Sequence, residues 1–248
     1  MSSIDLKLIA LITMIIDHIG YMIFPEHFIL RLIGRTAFPI YAFFVAEGVK
    51  HTSSINNYIK RLLSLAVFCQ VGFYLANTGE IVSFSSLNVL FTLSFGALGT
   101  HLFKSTKREK FKYAYLIFFM VLADLLQTDY GKWGVLLIYI FYFTGTNPLL
   151  GIIWILCKDN ILAYLMLIPF NMQEGTSFID TITPFYSVFQ ISLFTIIPFL
   201  IINFYTKNKK DSNLTSNQKN IFKWIFYVAY PLHFIVLYIV KLLLSTNI

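Results

Sequence analysis

Leu8-Ile9-Ala10-Leu11-Ile12-Thr13-Met14-Ile15-Ile16-Asp17-His18-Ile19-Gly20 is the stretch whose reading decides the fold class. It forms the body of an apolar run over 4–24, and about 20 mostly apolar residues are enough to cross a bilayer as a helix. Asp17 and His18 within the run, and the lack of a small-residue cleavage site, mark a retained first span rather than a signal peptide. The pattern recurs at 28–49, 59–76, 86–103, 112–127, 187–205 and 222–245. Between these runs, 133–170 is broken at Gly145-Thr146-Asn147-Pro148 and at Lys158-Asp159-Asn160. Such breaks are tolerated at membrane depth only inside protein or beside a wet cavity.

Composition excludes the alternatives. Of 248 residues, 57% are hydrophobic and 12% charged, with mean hydropathy +0.71. Soluble domains average about 45–50% apolar, and no soluble globule of this size has interior enough to hide the excess. Cys69 and Cys157 both lie in apolar runs, so neither a disulfide nor a metal site is expected. The fold class is an all-α, polytopic membrane bundle. One domain over 1–248 holds about nine to ten transmembrane helices, some short or broken.

The net charge of +7 follows the same plan. Basic residues collect between runs: Lys50, Lys60 and Arg61; Lys104, Lys107, Arg108, Lys110 and Lys112; Lys207, Lys209, Lys210, Lys219 and Lys223. The positive-inside rule makes these segments and the N-terminus cytoplasmic, in a multi-pass protein of a cell membrane. Segments 77–85 and 171–186 carry acids without Lys or Arg and read as external. The basic excess is thus an orientation signal, and no nucleic-acid partner is expected.

The informative residues are those that lipid should exclude. A charged side chain at the centre of a lone span costs roughly 2.5–3.5 kcal/mol, so such groups face the bundle interior and mark sites. They are Asp17, His18, Arg31, Arg35, Glu47, Asp124 and His233, with Asn88 opening the fourth span. A carboxylate near His18 would prepare a general base; the structural alternative is Asp17 paired with a basic residue of the second span. Arg31 and Arg35, at i,i+4, suit an anion or the carboxylates of Asp17 and Asp124, although Arg31 could simply snorkel. Pro39 is expected to kink the second span beside Arg35. Glu47 ends that span, and Lys60-Arg61 could meet lipid phosphates or an anionic cofactor. Asp124 and Tyr130 flank a turn with Gly131 and Gly134, and His233 follows Tyr230-Pro231-Leu232 near mid-membrane.

Those residues carry a resemblance. The first-span segment resembles the opening of the TraX family of integral-membrane acetyltransferases. So do Arg31-Leu32-Ile33-Gly34-Arg35-Thr36-Ala37-Phe38-Pro39-Ile40-Tyr41-Ala42-Phe43 with Glu47-Gly48, and Tyr58-Ile59-Lys60-Arg61-Leu62. Asn88-Val89-Leu90-Phe91-Thr92-Leu93, Ala123-Asp124 with Tyr130-Gly131, and Tyr230-Pro231-Leu232-His233 continue the series in family order.

The resemblance implies N-terminal acetylation of a membrane-processed peptide, as in pilin maturation, with acetyl-CoA as donor. It also places the chain near membrane acyltransferases that modify sugars and envelope polymers, so the acceptor is a peptide amine or a glycan hydroxyl. The catalytic candidates are His18, Asp17, Arg35 and His233. Arg31, Glu47, Lys60, Arg61, Asn88, Asp124 and Tyr130 are candidates for binding. In the expected mechanism acetyl-CoA enters from the basic side, His18 oriented by Asp17 deprotonates the acceptor, and Arg35 with His233 or Asn88 stabilises the thioester oxygen. Two rivals remain: an ion-coupled carrier relaying through Asp17, Arg35 and Asp124, and a structural or immunity-type protein.

Overall fold

The structure is a computed structural model, and it describes residues 1–78, 86–159, 178–205 and 215–245. Lys207, Lys209, Lys210, Asn160 and most of the two expected external segments lie outside the described residues.

The first span is α1 (Ser3–Met22). Ser2 caps it in a reciprocal box: its hydroxyl accepts from Asp5 N at 3.1 Å, and the Asp5 carboxylate accepts from Ser2 N at 2.8 Å. Leu6, Ala10 and Met14 are buried at four-residue intervals, and His18 continues that row. The register of a single apolar stripe therefore carries the histidine inward.

The second span divides into α2 (Phe28–Gly34) and α3 (Ala37–His51). The expected kink at Pro39 is corrected: the break falls at Arg35-Thr36. Pro39 sits in the first turn of α3, where backbone N–H groups have no helical acceptor to lose. Nine of the thirteen residues from Ala37 to Val49 are buried and none of the thirteen is exposed, so this is the central helix.

Around it run α4 (Ile55–Thr78), α5 (Val89–Ser105), α6 (Glu109–Leu125), α7 (Gly131–Thr144) and α8 (Pro148–Lys158). The C-terminal pair is α9 (Phe178–Asn203) and α10 (Ser216–Ser245). Among its described residues the fragmented region holds two short helices, and the break between them falls at 145–147.

Small residues let the inner helices approach closely, as membrane bundles require. Gly96 of α5 lies directly against Ile138 of α7. Ser94 and Thr100 donate their hydroxyls back to Leu90 O and Gly96 O, both at 2.7 Å, so neither hydroxyl is left unmet in the core.

The outer helices show the opposite pattern. Ile117, Phe118, Val121 and Leu125 of α6, and Ile225, Val228, Leu232, Ile235 and Ile239 of α10, are exposed at helical spacing. Apolar stripes of that extent need lipid as solvent. Residues 28–51, 55–75 and 224–245 are long and apolar enough to cross a membrane, and 131–144, 149–158 and 192–203 form shorter apolar helices.

Candidate active site

The cavity lies where α1, α4 and α6 end and α3, α5 and α7 begin. Its lid is the α6–α7 turn. Leu87, just before α5, pairs with that turn: Asp129 N donates to Leu87 O at 2.9 Å, and Leu87 N donates to Gln127 O at 3.3 Å. Thr92 of α5 adds hydroxyl bonds to Thr128 Oγ1 at 2.9 Å and to the Asp129 carbonyl. Gln127 (φ 48°), Tyr130 (φ 64°) and Gly131 (φ 45°) all take left-handed conformations. Such backbone costs about 1–3 kcal/mol at a non-glycine residue, so it persists only where the surroundings hold it. Here it turns the Tyr130 ring flat onto Phe38 of α3, with centroids 3.7 Å apart.

The cavity, partly open, holds about 240 Å³ and is lined by Asp17, His18, Arg31, Arg35, Asp129 and Tyr130, with Tyr21, Phe73, Ser86 and Gln127 completing the wall. Arg31 Nη1 donates to Asp17 Oδ2 at 2.6 Å and to Asp17 O at 3.3 Å. Asp17 Oδ1 is buried and has no hydrogen-bond partner among the described residues. Gly34 makes this approach possible, because a Cβ there would collide with the Asp17 carboxylate. Arg35 Nη1 reaches Tyr130 Oη at 3.5 Å, and the described residues contain no ion pair to Arg35.

The expected orientation of His18 by Asp17 is corrected. His18 Nδ1 meets Met14 O at 2.9 Å, one helical turn back along α1. A carbonyl can only accept, so Nδ1 carries the proton and Nε2 keeps its lone pair. Asp17 is engaged by Arg31 instead. His233 of α10 repeats the device: its Nδ1 donates to Ala229 O at 3.2 Å, and its buried Nε2 has no partner among the described residues. The two imidazole centroids are 4.8 Å apart, and Phe234 packs edge-on to His18 at 4.7 Å.

Five of the predicted residues thus line one cavity, with His233 against His18. The others stand apart. Asn88 is fully buried and spends its amide as a tie: it caps α5 through Leu90 N at 3.0 Å and donates to Ala66 O at 2.8 Å and Gln70 Oε1 at 2.7 Å. Asp124 does not meet the arginines. It accepts from Lys132 N at 2.8 Å and Lys132 Nζ at 2.9 Å, outside the cavity. Glu47 pairs with Lys50 at 3.3 Å near the far end of α3, about 15 Å along the helix from Ala37. Lys60 and Arg61 are exposed on the early turns of α4, also remote from the cavity.

Asp129 is the residue that sequence reasoning missed. It falls in a turn between apolar runs, where a charge carries no insertion cost and so no signal. Among the described residues, no cluster of three or more His, Cys, Asp or Glu could hold a metal.

The sequence profile described as TraX protein matches residues 2–241. The chain belongs to the TraX family. It is 27% identical over 255 residues to the "Probable fimbrial assembly protein FimC, serogroup H1" of Dichelobacter nodosus, covering 98% of this chain and 97% of that one. An uncharacterized protein of Rickettsia prowazekii (strain Madrid E) is 54% identical over 39 residues, 16% of each chain. No solved structure matches. Family membership and the lipid-facing stripes agree that this TraX protein is a membrane protein. Of the residues lining the cavity of this TraX chain, Asp17, His18, Arg31, Arg35 and Tyr130 belong to the residue series by which the sequence resembles the family.

Proposed function

We propose that the protein is a membrane-embedded acetyltransferase that moves an acetyl group from cytosolic acetyl-CoA to an exported acceptor, in the first place the N-terminal amine of a pilin-type peptide. Family membership and the fimbrial relative support the setting. The observation that carries the chemistry is the His18 imidazole, lining the cavity with its Nδ1 proton tied to Met14 O and its Nε2 lone pair unused.

In the step that follows, His18 Nε2 takes a proton from the acceptor nitrogen. The nitrogen attacks the thioester carbonyl carbon, the carbon–sulfur bond breaks, and CoA leaves as a thiolate that takes the proton held by His18, returning the imidazole to its neutral form. Negative charge develops on the carbonyl oxygen. Arg35 is the lining cation that can meet it, since its described hydrogen bond is the 3.5 Å contact to Tyr130. Arg31 is already committed to Asp17 and acts by positioning α1 against α2. His233 backs the His18 ring and offers a second lone pair to the imidazolium that forms.

Acetyl-CoA approaches from the end bearing Lys50, Lys60, Arg61 and the 104–112 cluster, taken as cytoplasmic with the N-terminus, in a bacterial inner membrane. The acceptor approaches the opposite, turn-covered end. The test is mass comparison of envelope peptides and glycans from cells with and without the protein. An acetyl-sized shift on a pilin-type N-terminus supports the reading, whereas the same shift on a glycan moves the acceptor to a hydroxyl. Loss of no acetyl group anywhere contradicts it.

A further inference from the structure

The α6–α7 turn fixes Asp129 at both of its backbone groups. Asp129 N donates to Leu87 O, and Asp129 O accepts from the Thr92 hydroxyl. Gln127 before it and Tyr130 and Gly131 after it take left-handed backbone, a conformation that persists only where the surroundings impose it. The residue so held is exposed and lines the polar cavity together with His18, on the side from which the acceptor approaches.

The balance of charge in the wall singles Asp129 out. Of the two lining acids, Asp17 is engaged by Arg31, whereas Asp129 makes no ion pair among the described residues. Of the two lining arginines, Arg35 likewise makes none. Asp129 and Arg35 attract each other across the cavity without forming an ion pair. Two opposite charges held apart beside an imidazole lone pair complement a group that is positive at one atom and negative at another. Aminolysis of a thioester passes through such a group. A peptide N-terminus, with a pKa of about 7.7–8.0, is largely an ammonium at neutral pH. When an amine adds to the carbonyl, its nitrogen turns positive and the carbonyl oxygen negative.

We propose that Asp129 is the residue that binds the acceptor: its carboxylate holds the peptide N-terminus as an ammonium and stays on that nitrogen while Arg35 meets the oxygen. The proposal rests on the acetyltransferase reading and adds the residue that holds the acceptor and the charge state in which it binds. The ammonium first gives one proton to His18 Nε2, which releases it to water through the open side of the cavity. The freed lone pair forms the carbon–nitrogen bond, and the nitrogen becomes positive again against Asp129. His18 takes the second proton and passes it to the CoA thiolate as the carbon–sulfur bond breaks. One amide and one thiol form, and one proton leaves to water. A hydroxyl acceptor arrives neutral and leaves the carboxylate without its counter-charge.

The test uses full-length protein in phosphatidylcholine nanodiscs, since that headgroup has no N–H to compete. The protein is titrated with a peptide bearing a free N-terminal amine and with its des-amino analogue. The des-amino peptide is expected to bind about tenfold or more weakly, the effect of losing one hydrogen bond between charged groups. Asp129→Asn brings the two peptides within about threefold, and Asp129→Glu restores most of the difference. Acetyl transfer from acetyl-CoA is measured alongside, with the α-hydroxy analogue of the peptide as a second acceptor. The ratio of amine to hydroxyl transfer is expected to fall about tenfold in Asp129→Asn; a merely structural role would lower both transfers together. Equal binding of the two peptides by the unmodified protein overturns the proposal, and this comparison needs no variant to fold. An undiminished preference in folded Asp129→Asn protein overturns it as well. Transfer to the amine without any binding preference leaves the acetyltransferase reading standing and removes this one. An Asp129-dependent preference without transfer to either acceptor keeps the ammonium seat and refutes the acetyltransferase reading.

Discussion

The Arg31 guanidinium holds the Asp17 carboxylate at 2.6 Å, an ion pair that joins α1 to α2 at the edge of the cavity. Both side chains are largely shielded, with 25% and 19% of their surface exposed. Removing one partner leaves a shielded charge uncompensated. Arg31→Ala is expected to destabilise the protein by about 3–5 kcal/mol, and Arg31→Ala with Asp17→Asn by less than the sum of the two single changes. Thermal unfolding in detergent measures both, and strict additivity would show that the pair is not coupled.

Gly34 tests the same junction from the other side. A methyl group there collides with Asp17, so Gly34→Ala forces α1 and α2 apart. The expected loss is about 1–3 kcal/mol, with acetyl transfer falling because His18 moves with Asp17. Gly145→Ala supplies the contrast: nothing lies within 4 Å of its Cβ position, and only its φ of 65° resists the change. Its transfer activity should be unaffected.

Asn88 separates a structural from a chemical role. Asn88→Ala removes the α5 cap and the side-chain amide bonds to Ala66 O and Gln70 Oε1, leaving Gln70 the bond from Asn88 N, at a cost of about 1–3 kcal/mol. The account predicts a lower unfolding temperature with KM for acetyl-CoA unchanged. A selective loss of turnover in fully folded Asn88→Ala protein would return it to the site.

Arg35 and Tyr130 should differ in magnitude. Arg35→Gln removes the cation assigned to the developing oxyanion and is expected to lower kcat about 100- to 1,000-fold. Tyr130→Phe removes only a 3.5 Å contact and keeps the ring stacked on Phe38, so it should lower kcat less than about tenfold. Equal effects would mean that the hydroxyl, not the guanidinium, meets the thioester.

Much of this arrangement was legible because lipid makes charge conspicuous. Asp17, His18, Arg31 and Arg35 stood out against long apolar runs, and α1 to α6 and α10 lie close to those runs. The same contrast misled at Asn88, where a helix cap is polar by necessity, and at Asp124, whose partner Lys132 lies beyond the turn. Asp129 gave no contrast at all. The orientation of His18 by Met14 O was invisible for another reason: every helical residue has a carbonyl four positions back, and only the rotamer decides whether the ring uses it.

The most direct measurement is transfer from radiolabelled acetyl-CoA to an N-terminal peptide amine by full-length protein and by His18→Ala, both in nanodiscs and both verified as folded. The account predicts transfer by the first and loss of about 100-fold or more in the second. Equal transfer by the two proteins would contradict it.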